Sequence, residues 1–171
     1  MWYISVMDIL TVEKKVKKPL RQATLLFLVK DKKILLAMKK RGFGKGHWNG
    51  VGGKPAKGEK IEETAIREAQ EEIGIIPKKF KKVAILDFYF ARKPDLNQRV
   101  VTYFCDSWEG RPKESEEMKP EWFLKNKLPY AKMWADDSLW LPHVICNKFV
   151  RASFLFGEND KVIDYRISIG K

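Results

Sequence analysis

Six of the 22 acidic residues in this chain fall between Glu59 and Glu72, although the formal net charge is +12. Apolar residues at 61, 65, 66, 69 and 73 repeat at helical spacing over Ile61–Ile73, and Gly74 followed by Pro77 ends the pattern. On that helix Glu68 and Glu72 are four residues apart and Glu71 is three beyond Glu68, so all three carboxylates project from one side and repel one another. A hard divalent cation needs several carboxylate oxygens and would cancel the repulsion; Mg2+ is the natural candidate. The same residues also fit a plainer description, a solvated acidic face with Arg67 and Lys60 as local partners. Just upstream, Gly52 and Gly53 would let backbone carbonyls approach a cation closely, and Gly58 lets the loop turn into the helix. A cation held between loop and helix can bridge phosphate oxygens and acidify a coordinated water, leaving a carboxylate to take the proton.

A second group of residues is suited to a flat heterocycle. Phe43, Phe88, Phe90 and Trp134 offer apolar walls for stacking, and Asn49 offers both a donor and an acceptor for a base edge. Asp136 and Asp137 are adjacent to each other and close to Trp134. If desolvated, they cannot both stay ionised, so one can donate to a purine oxygen while the other accepts from a ring nitrogen. Each has an alternative reading: Phe88 and Phe90 alternate as core residues of a strand do, Trp134 can pack, and Asp136 or Asp137 can cap a helix near Ser138. Neither His47 nor His143 sits in a nucleophile or zinc pattern, and neither is assigned a role.

The run Gly53, five residues, Glu59, seven residues, Arg67-Glu68-Ala69-Gln70-Glu71-Glu72-Ile73-Gly74-Ile75 resembles the box of the Nudix hydrolase superfamily. Ala69 replaces a larger aliphatic residue, a change in packing rather than chemistry. The likeness extends from about Thr24 to Ile167. It is nearest to the mammalian MutT-type branch of the family, through Lys39-Lys40-Arg41-Gly42-Phe43-Gly44, Trp48-Asn49-Gly50 and Met133-Trp134-Ala135-Asp136-Asp137-Ser138. The resemblance implies an α/β fold, a central mixed β-sheet between α-helices. It also implies hydrolysis of oxidised purine nucleoside triphosphates, 8-oxo-dGTP and also 2-hydroxy-dATP, to monophosphate and pyrophosphate with Mg2+, for which Mn2+ can substitute. By the same resemblance Glu68 and Glu72 are the principal metal ligands, Glu71 a ligand or base, Glu117 an additional ligand, and Arg67 the salt-bridge partner that orients the carboxylates. Glu72 is the first choice of base, although coupled carboxylates share their titration. Thr24 lines the family pocket, Lys39 and Lys54 are carried over as substrate contacts, and Asp136 with Asp137 reads the purine edge. Ala135 stands where this branch has proline, and His47 and Val51 also depart from its pattern. Removal of an RNA cap, cleavage of a diphosphoinositol, and non-catalytic binding of RNA or nucleotide are the competing readings.

These residues need a scaffold. Ala23–Val29 and Ile34–Met38 are apolar runs flanking Asp31-Lys32-Lys33, which predicts a hairpin, and Val83–Phe90 with Val100–Trp108 predicts an antiparallel pair. Ser138–Val150 reads as a helix with Pro142 in its first turn, and Ala152–Phe156 with Val162–Ile167 as a closing hairpin. Residues 1–20, with the cluster Lys14, Lys15, Lys17, Lys18, read as a basic extension ahead of one domain over 21–171. No apolar run approaches the roughly 20 residues that span a bilayer. Cys105 and Cys146 suit neither a disulfide framework nor a metal site. A cytosolic monomer is therefore expected, serving nuclear or mitochondrial pools as well, with no stable nucleic-acid partner. The positive charge favours polyanions without choosing among them.

Overall fold

Strand β1 (Arg21–Lys30) turns Ala23, Leu25 and Phe27 to one side and Thr24, Leu26 and Leu28 to the other, and a separate core forms on each side. In the computed structural model, which describes residues 8–17 and 19–170, β1 lies within one mixed sheet. The order is β3 (Trp48–Asn49), β2 (Lys33–Lys39), β1, β5 (Gln98–Glu109), β4 (Ile76–Phe90), β7 (Val150–Phe156), β8 (Val162–Ile169), with β6 (Met118–Leu124) also paired to β2. The β1/β5 and β4/β7 pairs are parallel; the others are antiparallel.

Helix α2 (Ile61–Ile73) covers the Leu26 face through Ala65, Ala69 and Ile73. Its C-terminus stops at Gly74, whose φ of +74° is a left-handed cap that suits a residue with no Cβ. Helix α3 (Asp137–Ile145) covers the opposite face through Trp140, Leu141 and Val144. Trp140 is fully buried, a hydrophobic contribution of roughly 5 kcal/mol at most. Helix α1 (Ile9–Lys15) packs Ile9 against Tyr89 and Leu155, beyond α2 on the same face. Asp8 caps it, accepting from Thr11 N–H at 2.9 Å, while Ile9 N–H donates to Asp164 at 2.8 Å and Glu13 accepts from Arg166 at 2.7 Å. Of the basic extension, residues 1–7 and Lys18 lie outside the described residues.

Both hairpins, the β4/β5 pair and α2 match the pattern in the sequence. Other expectations require correction. The helix predicted over Ser138–Val150 ends at Ile145: Asn147 turns the chain with φ +60°, and Val150 already pairs with Ala84. Pro142 lies in the second turn of α3, not the first, where it removes the bond to the Ser138 carbonyl. Strand β6 was not expected, because Pro120 and alternating charge obscure it; it pairs along the whole of β2. Strand β4 begins seven residues before the predicted Val83, its lysine-rich start pairing with β5 through register shifts.

Candidate active site

The glycine segment after β3 runs beside β1, with Leu26 and Val51 exchanging backbone hydrogen bonds and Thr24 N–H donating to Gly53 O at 2.8 Å. This pairing leaves no room for side chains. A Cβ on Gly52 would collide with the Thr24 carbonyl, and one on Gly53 with the Glu68 carboxylate. We therefore expect the two glycines to respond differently. Gly52→Ala meets backbone and should lose about 2 kcal/mol, a fall in melting temperature of roughly 4–8 °C. Gly53→Ala meets a movable side chain and should melt close to the wild type. Paired thermal melts check this, and equal melting of the two would refute it.

Two cations divide the box carboxylates. Arg67 grips Glu59 with Nε at 2.8 Å and Nη2 at 3.0 Å, while its Nη1 reaches Glu68 at 2.7 Å and Glu71 at 3.1 Å. Nη2 of Arg67 also donates to the Lys54 carbonyl at 3.2 Å, tying helix to loop. Glu59 is anchored in turn by Ala56 N–H and Thr64 Oγ1, and the guanidinium holds its carboxyl well below the usual range. Glu72 is apart from this network. It is 5% exposed, accepts from Gly52 N–H at 2.9 Å, and has Lys39 Nζ at 3.5 Å. Burial pushes its carboxyl up to about 7, against the opposing pull of Gly52 and Lys39. Lys39 Nζ also lies 3.8 Å from Glu117, whose main partner is Arg41 at 2.6 Å.

Because Arg67 draws Glu59, Glu68 and Glu71 together while Lys39 takes Glu72, no three His, Cys, Asp or Glu side chains form a ready cage among the described residues. The donors nonetheless suit a hard cation. They are carboxylate oxygens, one of them buried, beside a glycine whose Cβ would fill the space at Glu68.

A cavity of about 620 Å³ opens beside this region. Gly52, Gly53 and Glu117 from the expected metal set line it, as do Thr24, Lys39 and Lys54; Arg67, Glu68, Glu71 and Glu72 do not, although Glu68 abuts Gly53 and Glu72 accepts from Gly52 N–H. Thr24 is buried, its Oγ1 within 3.4 Å of the Gly53 carbonyl. The remaining expected residues, Phe43, Asn49, Phe88, Phe90, Trp134, Asp136 and Asp137, line the cavity too. Phe43 lies 5.1 Å from Trp134 at 33° and 6.2 Å from Phe90 edge-on. Asn49 already uses its carbonyl oxygen to accept Gly50 N–H at 2.8 Å, so its amide N–H groups are the part left for a ligand.

Asp136 and Asp137 are 3% and 2% exposed. Trp140 Nε1–H donates to Asp136 at 3.0 Å, and Trp134 N–H donates to Asp137 at 3.0 Å. Asp136 occupies the N-cap position of α3 but caps nothing with its side chain, so the capping alternative does not account for it. Burial raises both carboxyls, and the proximity of Asp136 raises Asp137 further. Sequence reasoning missed Trp140, Phe156 and His47 here. Trp140 belongs to no motif and meets Asp136 one turn along α3, whereas His47 and Phe156 reach Trp134 from distant segments.

A NUDIX domain family profile matches residues 19–144. The oxidized purine nucleoside triphosphate hydrolase of Danio rerio is 41% identical over 144 residues, 84% of this chain and 92% of the relative. The enzyme of the same name from Mus musculus is 41% identical over 147 residues, 86% of this chain and 94% of the relative. Among solved structures, the MutT protein of Bacillus halodurans superposes with a TM-score of 0.77 at 29% identity, covering 87% of this chain and 98% of its own. A match that runs from ahead of β1 into α3, through the loop and helix on which the carboxylates gather, makes this chain a member of the Nudix family.

Proposed function

We propose that this protein is a Mg2+-dependent pyrophosphohydrolase that converts oxidised purine nucleoside triphosphates, 8-oxo-dGTP first and 2-hydroxy-dATP beside it, to monophosphate and pyrophosphate. The observation that carries this reading is the placement of a buried carboxyl pair in the same aromatic-walled cavity that is bounded, at its other end, by the glycines abutting Glu68 and Glu72. The activity named for the Danio rerio and Mus musculus relatives supports it.

Nudix hydrolases use a divalent metal; Glu68, Glu71 and Glu72 with the Gly52–Gly53 backbone are the groups to hold Mg2+, or Mn2+ in its place, and Glu117 can join them. When bound, the cation neutralises phosphate charge and acidifies water. The residues of the chain do the rest. Phe43 and Trp134 stack on the purine, and the amide of Asn49 donates to its edge. A protonated Asp137, its carboxyl raised by burial and further by the charge of Asp136, donates to a purine oxygen, and an ionised Asp136 accepts from ring N–H. Lys39 and Lys54 meet the phosphates. Arg67 keeps Glu68 and Glu71 oriented, and Glu72 accepts the proton of the attacking water as one P–O bond forms and the α–β bridge bond breaks.

We read residues 21–171 as the catalytic domain, acting as a monomer on free nucleotides of the cytosolic, nuclear and mitochondrial pools. No helix among the described residues is long and apolar enough to cross a membrane. The test is initial rates on 8-oxo-dGTP, 2-hydroxy-dATP, dGTP, capped RNA and a diphosphoinositol, with Mg2+, with Mn2+ and with chelator. We expect a preference for 8-oxo-dGTP over dGTP of at least about tenfold, roughly what one additional hydrogen bond can supply. Equal rates on the two, or a faster rate on capped RNA or diphosphoinositol, would overturn the substrate assignment.

A further inference from the structure

His47 belongs to no motif, yet its imidazole lies flat on the Trp134 indole, with ring centroids 4.7 Å apart and planes at 15°. Both rings line the cavity. The loop that carries His47 is moulded to that indole. Gly42, Gly44 and Gly46 all have positive φ, and a Cβ on Gly44 would stand 3.1 Å from the Trp134 six-membered ring. His47 itself is fixed at both backbone groups, its N–H donating to Gly44 O at 3.0 Å and its carbonyl accepting from Lys39 N–H at 3.0 Å. Its Nδ1 is buried with no hydrogen-bond partner among the described residues. A residue placed here for hydrogen bonding would not leave that atom unsatisfied, so it is the flat face of the ring that the site uses.

We propose that His47 is a positioning residue of the base pocket: its anchored ring backs the Trp134 indole and holds it as a fixed wall against which a purine stacks. The proposal rests on the reading of this cavity as a purine site, but not on which purine is the substrate. Trp134 is supplied by the segment leading into α3, and His47 by the root of the glycine loop at β3. The stack therefore joins two segments that sequence separates by 87 positions, and locks the loop to the Asp136–Asp137 end of the cavity. Any flat ring without a buried polar atom should serve as well.

The chain has two histidines, so the ring protons of His47 are read against those of His143 in a histidine-labelled NMR spectrum. The His47 signals should lie upfield, shifted by the indole current, and return to the ordinary position in Trp134→Leu; unshifted signals overturn the stack without any ligand. On titration with a purine nucleoside monophosphate the upfield shift should persist. Its loss would mean that the base displaces His47, and would overturn the backing role. In kinetics, His47→Ala should raise KM about fivefold, within the range of one aromatic pair, and leave kcat within about twofold. His47→Phe should restore KM to the wild-type value or below. An unchanged KM in His47→Ala, or failure of Phe to restore it while both variants melt as the wild type does, rejects the proposal. A wild type that prefers dGTP over 8-oxo-dGTP would refute the substrate assignment and leave these comparisons intact, now measured on dGTP.

Discussion

Glu72→Gln should lower kcat by about a thousandfold, the middle of the range for loss of a positioned general base, while changing KM several-fold at most. The expectation comes from burial. Glu72 is the box carboxylate most withdrawn from water, and burial pushes its pKa up to about 7, so it is matched to taking a proton at physiological pH. Glutamine keeps the oxygen that accepts Gly52 N–H and preserves the volume, so the helix and loop should remain in place. Glu71 provides the internal comparison. It is 59% exposed and tied to Arg67, in a position to assist binding, and Glu71→Gln should lose far less. The measurement is steady-state kcat for both variants at saturating Mg2+, with melting curves to establish that each is folded. If Glu71→Gln lost more than Glu72→Gln, the base would be assigned to the wrong carboxylate.

The site divides into what local sequence records and what only the fold creates. Helix α2 was legible to the residue because its apolar stripe and its Gly74 stop are both local signals. The aromatic walls and the aspartate pair were legible because side chains that can stack or share a proton are recognisable by type wherever they lie. The partners of those side chains were not. Trp140 reads as a core residue until its indole N–H is seen on Asp136, and Lys39 reads as a phosphate ligand until its ammonium is found between Glu72 and Glu117. The box spacing places Glu68, Glu71 and Glu72 on one side of a helix, but periodicity carries no information on the counter-ions, which arrive from β2 and from within the helix itself. Strand β6 was hidden for a related reason: Pro120 interrupts its apolar side between Met118 and Trp122, and only the pairing with β2 shows it as a strand.

The aspartate pair leads to the second large effect. Asp137→Asn is expected to reduce kcat/KM for 8-oxo-dGTP by about a hundredfold, roughly the cost of leaving one buried hydrogen-bonding group unsatisfied, and to reduce it much less for dGTP. Asparagine fills the same space but cannot exchange a proton with Asp136, so the variant should tolerate fewer base shapes than the wild type. The same substitution should change how stability depends on pH. Both carboxyls are raised in the folded protein, so their stabilising contribution is complete below the ordinary carboxylate range near pH 4 and is lost as pH rises towards and past 7. Wild-type melting temperature should therefore fall across that interval, and Asp137→Asn, with one titrating group removed and the like charge gone, should fall less. Trp140→Phe tests the other half of the pair. Removing the indole N–H leaves Asp136 without its donor, which pushes its pKa further up and should move the pH at which 8-oxo-dGTP binding is lost, while a merely structural tryptophan would change melting alone. Parallel pH profiles in the wild type and in Trp140→Phe would separate Asp136 from the recognition of the base, and would leave Asp137 alone to account for it.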